Sequence, residues 1–197
     1  LTGTFGGAII DINETNLDGV LLIKPKVYED LRGAFFEGYN RVAYSSSGIP
    51  GEGKAFDQDN FSVSRRGVIR GLHYQEPNGQ GKLVSVLSGQ VFDVAVDLRR
   101  SSSTFGGFFS AVLSEENRNQ LWIPTGFAHG FCALTDNVVF HYKCSGGYKV
   151  DCEKGILWND SDLGIPWPID NPIVSEKDRM LPRLDEIAQE NLPANRS

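Results

Sequence analysis

Gln58-Asp59-Asn60-Phe61-Ser62, Arg70-Gly71-Leu72-His73 and Gln80-Gly81-Lys82-Leu83-Val84 follow one another between residues 58 and 84. Polar and charged side chains alternate there with apolar ones, the period of a strand with two unlike faces. The apolar partners read as strand, so the Arg, His, Asn and Lys are expected to line a concave β-surface. The chain holds 3 histidines, and one of them, His73, sits here between a guanidinium and an ammonium group. A neutral imidazole among cations is suited to taking a proton from a substrate rather than to binding a metal.

The β signal continues in both directions. Residues 20–27 form a strand whose Pro25 confines it to an edge or an end. Asp30-Leu31-Arg32-Gly33 is a turn, and Ala34-Phe35-Phe36-Glu37 resumes the strand. Residues 40–53 have room for a short helix. Residues 56–64 alternate, and residues 68–75 follow a turn at Arg66-Gly67. Residues 82–87 and 90–98 flank Ser88-Gly89, which predicts a two-residue hairpin. Residues 108–113 and 121–123 are further strands. Residues 131–134 and 138–144 predict another hairpin around Thr135-Asp136-Asn137. Strands at this spacing, with almost no helical periodicity, predict an all-β antiparallel sandwich or barrel. Short helical segments are expected only near the C-terminus, at residues 175–178 and 184–190. Residues 1–17, Gly-rich and then polar, read as an arm or edge strand.

The bulk numbers bound the function. A chain of 197 residues, 40% hydrophobic and 22% charged, suits one domain with a sizeable core. A net charge of -6 argues against coating nucleic acid, which needs a basic surface. It leaves room for an anionic small ligand, because a local Arg/Lys cluster can oppose the global sign. Cys132, Cys144 and Cys152 are odd in number and form no CxxC pair, so a reduced, cytoplasmic location is expected. No apolar run approaches a membrane span, and the first ten residues carry no signal-peptide pattern.

Each candidate has a plain alternative. In a regular strand, Ile69, Gly71, His73 and Gln75 share one face and Arg70 the other, but Gly71 permits a bulge that would re-aim Arg70. A lone histidine is more often a hydrogen-bonded structural residue than a base. Asn60, Ser62 and Ser64 share a face that reads as a pocket wall or a solvated surface. Lys82, followed on its face by Val84 and Val86, reads as a pocket rim or a surface lysine. Asp93 and Asp97 read as solvated, as paired to Arg, or as a carboxylate partner for His73. His129, in Gly126-Phe127-Ala128-His129-Gly130-Phe131, reads as presented by a tight turn. Tyr142 shares a face with Phe140, opposite His141, and reads as core or as a proton donor. With no HxH, HxxxH or HExxH pattern, a dedicated metal site is not expected.

Taken together, Asp30-Leu31-Arg32-Gly33-Ala34-Phe35-Phe36-Glu37, Gln58-Asp59-Asn60, Arg70-Gly71-Leu72-His73-Tyr74-Gln75, Gln80-Gly81-Lys82-Leu83-Val84, Trp122-Ile123-Pro124-Thr125-Gly126-Phe127-Ala128-His129-Gly130-Phe131 and Tyr142-Lys143-Cys144 resemble the dTDP-4-dehydrorhamnose 3,5-epimerase family. The match covers residues 18–183, expected to be the epimerase domain, between the arm (1–17) and a C-terminal tail (184–197). The resemblance implies a cupin-type jelly roll acting as a homodimer, with no metal and no cofactor. It implies a dTDP-4-keto-6-deoxy sugar substrate inverted at C3 and C5. By resemblance His73 is the general base, Tyr142 the general acid and Asp178 the carboxylate that pairs with the base. Arg32, Glu37, Gln58, Asn60, Arg70, Lys82, His129, Glu153 and Lys177 match substrate-binding positions, some of them contributed by the partner subunit, and Tyr148 matches the ring that stacks on thymine. Gly146-Gly147-Tyr148 and Cys144 depart from the family's usual residues near the thymine.

The chemistry explains the residue types. Removing a proton beside a ketone leaves an enolate, so the reaction needs a base at the C–H and donors at the C4 oxygen. His73 suits the first and Lys82 the second, while Arg32, Arg70 and Lys177 suit a diphosphate. The alternatives are a relative that inverts one carbon (a 3- or 5-epimerase), a non-catalytic sugar-nucleotide-binding jelly roll, and a metal cupin.

Overall fold

The computed structural model describes residues 9–51 and 53–194. In chain order it runs β1 (Ile10–Glu14), β2 (Leu21–Pro25), β3 (Val27–Asp30), β4 (Gly33–Phe36), α1 (Arg41–Ser46), β5 (Phe56–Ser64), β6 (Val68–Gln75), β7 (Gly81–Ser88), β8 (Gln90–Asp97), β9 (Phe108–Ser114), β10 (Gln120–Ile123), β11 (Phe127–Ala133), β12 (Val138–Ser145), β13 (Glu153–Gly155), β14 (Ile173–Val174) and α2 (Glu176–Arg179). One sheet has the order β1-β2-β10-β7-β12-β5 and the other β13-β6-β11-β8-β9, with β14 pairing β6. β3 and β4 form a separate two-stranded ribbon. This is the mainly antiparallel sandwich that the strand spacing predicts, in the jelly-roll form that the resemblance implies. The arm expected at residues 1–17 lies partly outside the described residues; its visible part, β1, pairs with β2.

The two predicted hairpins are not hairpins. β7 and β8 lie in different sheets, and so do β11 and β12. The turns at Ser88-Gly89 and Thr135-Asp136-Asn137 are corners that carry the chain from one sheet to the other. They pack on each other: a Cβ on Gly89, whose φ is +79°, would sit 2.5 Å from the Thr135 hydroxyl oxygen. A tight turn reverses the chain in either arrangement, so its residues cannot tell a hairpin from a corner. Pro25 ends β2 beyond the reach of β10, which pairs only with Leu21, Leu22 and Ile23, as a residue without an N–H requires.

The main core lies between the sheets. Val84, Val86, Val91, Ala95, Leu121, Ile123, Phe131, Val138 and Phe140 fill it, each at alternate positions of its strand. Burying a side chain such as Phe140 contributes roughly 1.5–3 kcal/mol. Towards one end the inward positions turn polar: Val86 and Val84 give way to Lys82, and Phe140 to Tyr142. The outer face of the β6–β11–β8 layer is covered by the C-terminal segment, through Ile156, Leu163, Leu184, Ile187 and Leu192.

Candidate active site

The polar end of the sandwich is a cleft with a wall from each sheet. One lobe, of about 560 Å³, is lined by Ser62, Arg70, His73, Lys82, His129, Phe131, Tyr142, Lys177 and Asp178 among others. A smaller lobe, of about 110 Å³, shares His73, Lys82 and Tyr142 and adds Gln58, Asn60, Cys144, Tyr148 and Glu153. A larger open depression of about 660 Å³ lies between residues 14–21 and 99–104 and holds none of these side chains.

Arg70 and His73 reach the same lobe because β6 carries a bulge. Opposite β11, His73 pairs with His129 and Arg70 with Phe131, so three steps along β6 match two along β11. The extra residue restores a shared face to two side chains an odd number apart. Gly71 makes this possible, with φ +129° and no room for a side chain: a Cβ there would sit 2.5 Å from Gly130 Cα. Gly130 is equally confined, since its Cβ would meet the Arg70 carbonyl at 2.7 Å. His129 therefore stands within strand β11, not in the tight turn predicted for it. The flanking glycines have different tasks, Gly126 turning at φ +97° and Gly130 allowing close approach.

His73 Nε2 meets Asp178 Oδ1 at 2.7 Å, and Asp178 Oδ2 accepts the Gly71 N–H at 3.3 Å. Asp178 is delivered by α2, whose Ser175 cap accepts the Asp178 N–H at 3.1 Å. Burial pushes Asp178 up, but the His73 and Gly71 bonds outweigh it and hold the carboxyl below its usual range. The possibility that Asp93 or Asp97 partners His73 is not realised. Asp97 binds Arg99 Nη2 at 2.8 Å, and Asp93 binds His129. Sequence reasoning missed this Asp93–His129 pair. Its signal was the register of Asp93 between inward-facing Val91 and Ala95, which places it inside rather than on a solvated face.

On the facing wall, Asn60 and Ser62 of β5 point inward, while Phe61 and Val63 are exposed at 64% and 66%. Tyr142 pairs with Asn60 in register and is half-buried; desolvation raises its phenol above the usual value, with Arg70 opposing. Lys82 donates to the His73 carbonyl at 3.4 Å. Desolvation lowers its ammonium, and the charges of Cys144, Asp93 and Glu153 resist. Asn60 donates weakly to the Cys144 sulfur at 3.8 Å. At the mouth, Glu153 Oε2 accepts from Tyr148 at 2.9 Å and Lys177 at 2.7 Å. Arg32 and Glu37 are not in the cleft of their own chain. Arg32 sits at the exposed tip of the β3–β4 ribbon, paired to Asp30, and Glu37 accepts from Asn40. Among the described residues no three His, Cys, Asp or Glu side chains converge as a metal site.

A cupin-type jelly roll whose open end sets a carboxylate-held histidine across a cleft from a tyrosine, with cations between, is a fold built for acid–base chemistry on an anionic ligand. The chain belongs to the dTDP-4-dehydrorhamnose 3,5-epimerase family, whose model matches residues 14–186. It is 49% identical over 169 residues to the dTDP-4-dehydrorhamnose 3,5-epimerase of Methanothermobacter thermautotrophicus, covering 84% of this chain and 90% of the relative. Its structure is similar to that of the dTDP-6-deoxy-D-glucose-3,5-epimerase of Legionella pneumophila in complex with dTDP-4-keto-L-rhamnose, with a TM-score of 0.90 at 45% identity over 95% of this chain and 100% of the other. A 3'-monoepimerase of Streptomyces bikiniensis in complex with dTDP-quinovose shares the fold at a TM-score of 0.85 and 32% identity, covering 91% of each chain.

Proposed function

We propose that this chain inverts C3 and C5 of a dTDP-4-keto-6-deoxyhexose, turning dTDP-4-dehydro-6-deoxy-D-glucose into dTDP-4-dehydro-L-rhamnose for dTDP-L-rhamnose synthesis. The observation that carries it is the His73–Asp178 pair on one wall, with Tyr142 on the other and Lys82 lining the same cleft. His73 removes the proton beside the C4 ketone, and Asp178 steadies the imidazolium that forms. Lys82 offsets charge on the enolate oxygen. Tyr142, on the opposite wall, returns a proton to the other face, so each cycle inverts one carbon. Arg70 and Lys177 hold the diphosphate. Tyr148, exposed beside Glu153, stacks on the thymine. Gln58, Asn60, His129 and Glu153 complete the binding surface.

We further propose a cytoplasmic homodimer in which Arg32 and Glu37 serve the partner's cleft. Three free, buried cysteines fit a reducing compartment. The separate β3–β4 ribbon carries Leu31 and Phe35 fully or largely exposed, and the outer face of edge strand β5 exposes Phe61 and Val63. Apolar surface of this kind marks an interface.

His73→Asn is the direct test. Proton NMR of the substrate in D₂O should show exchange at C3 and C5 reduced about 10²–10⁴-fold. Wild-type exchange in the variant would remove His73 as the base. Deuterium at only one carbon in the wild-type reaction would replace the double inversion by a single one.

A further inference from the structure

We propose that Asp93 is a positioning residue for this reaction, fixing the His129 ring through Nε2–H. The inference rests on the reading of His129 as a substrate-binding residue.

Asp93 lies at the centre of β8, facing inward between Val91 and Ala95, and is 0% exposed. A carboxylate buried this far costs several kcal/mol unless it is paired. Both its oxygens face one ring nitrogen, His129 Nε2, at 3.0 and 3.1 Å. A carboxylate accepts only, so Nε2 carries the hydrogen that the two oxygens share.

The arrangement parallels the base. His129 and His73 are directly opposite in register on β11 and β6, and each places Nε2 on its own carboxylate. The two pairs differ in surroundings. His73 is partly open to the cleft, whereas His129 is buried and stacked on Phe140, with ring centroids 6.0 Å apart. Burial lowers the affinity of His129 for a second proton. The nearby charges of Lys82 and His73 act in the same sense, and Asp93 only partly offsets them. A neutral His129 with its one N–H spent on Asp93 keeps Nδ1 as an acceptor, which suits an O–H of the sugar better than a phosphate oxygen.

The test is a double-mutant cycle on the intact protein with Asp93→Asn and His129→Gln, reading kcat and KM separately. Asp93→Asn is expected to lower kcat/KM about ten- to hundredfold, chiefly through KM, because the residue it positions is read as a substrate-binding one. Made in the His129→Gln background, it should add at most about twofold, because residues acting as one unit are not additive. ¹⁵N NMR of the wild-type protein should show His129 protonated at Nε2 and not at Nδ1, a readout that holds even if Asp93→Asn fails to fold. Near-wild-type kinetics in Asp93→Asn, losses that multiply in the double variant, or a proton on Nδ1 would each overturn the proposal. A silent His129→Gln would instead overturn the reading of His129 on which it rests.

Discussion

An imidazole abstracts a proton from carbon only while one ring nitrogen is held and the other is free. At His73 the holding group is Asp178, which is 4% exposed and comes from a helix more than a hundred positions along the chain. Nothing near His73 in sequence points to that carboxylate; the family resemblance did. The pair also has a stability signature. The Asp178 carboxyl is held below its unfolded value, so its contribution is complete above about pH 4 and is lost as pH falls through the lower folded value. Asp178→Asn should therefore be less stable than wild type by about 1.5–3 kcal/mol at pH 7 in urea unfolding. The gap should narrow and then close as pH falls below the usual carboxylate range and through the lowered folded value. A gap unchanged at low pH would mean that the carboxylate charge is not its source.

At the scale of the element, β6 turns an ordinary alternating strand into half of a site. The glycine at its centre signalled a bulge, and the bulge brings Arg70 and His73 to one face, which regular alternation would forbid. Gly71→Ala places a Cβ 2.5 Å from Gly130 Cα and 2.8 Å from the His129 carbonyl, at a φ that L-residues rarely adopt. The expected cost is about 2–5 kcal/mol. That should appear as a fall of roughly 5–20 °C in thermal unfolding midpoint; a midpoint within a degree of wild type would show that β6 can relax without the bulge. Strand β5 makes the opposite point. Its alternation is plain in the sequence, yet its polar face turns inward and Phe61 and Val63 turn outward. Periodicity fixes that two faces differ, whereas the fold chooses which one meets the core.

At the scale of the whole molecule, an acidic chain carries a cationic cleft, with Arg70, Lys82 and Lys177 gathered where the sandwich opens. The remaining cation expected there, Arg32, lies on the separate β3–β4 ribbon. If the ribbon completes the partner's cleft, Arg32→Ala and His73→Asn would each be nearly inactive alone. Mixed and re-equilibrated, half the dimers contain both chains, and each mixed dimer has one complete site. Activity should then recover to about a quarter of wild type. No recovery, with mixed dimers verified by mass, would place Arg32 in its own chain's function or in none.

The sequence by itself determined the all-β class, the strand positions, the turns, and the polar alternation that runs from Gln58 to Val84. These depend on local alternation and on glycine and proline geometry, which neighbours in the chain dictate. Only the tertiary structure decided that Ser88-Gly89 and Thr135-Asp136-Asn137 are corners between sheets, that β6 lies in the sheet opposite β5 and β7 so that the polar stretch makes two facing walls and not one surface, and that Asp93 serves His129. Those pairings join residues far apart in the chain. What selects them is the requirement that every inward carboxylate find a donor and every inward apolar face a partner, and it can be met only when both sheets are in place.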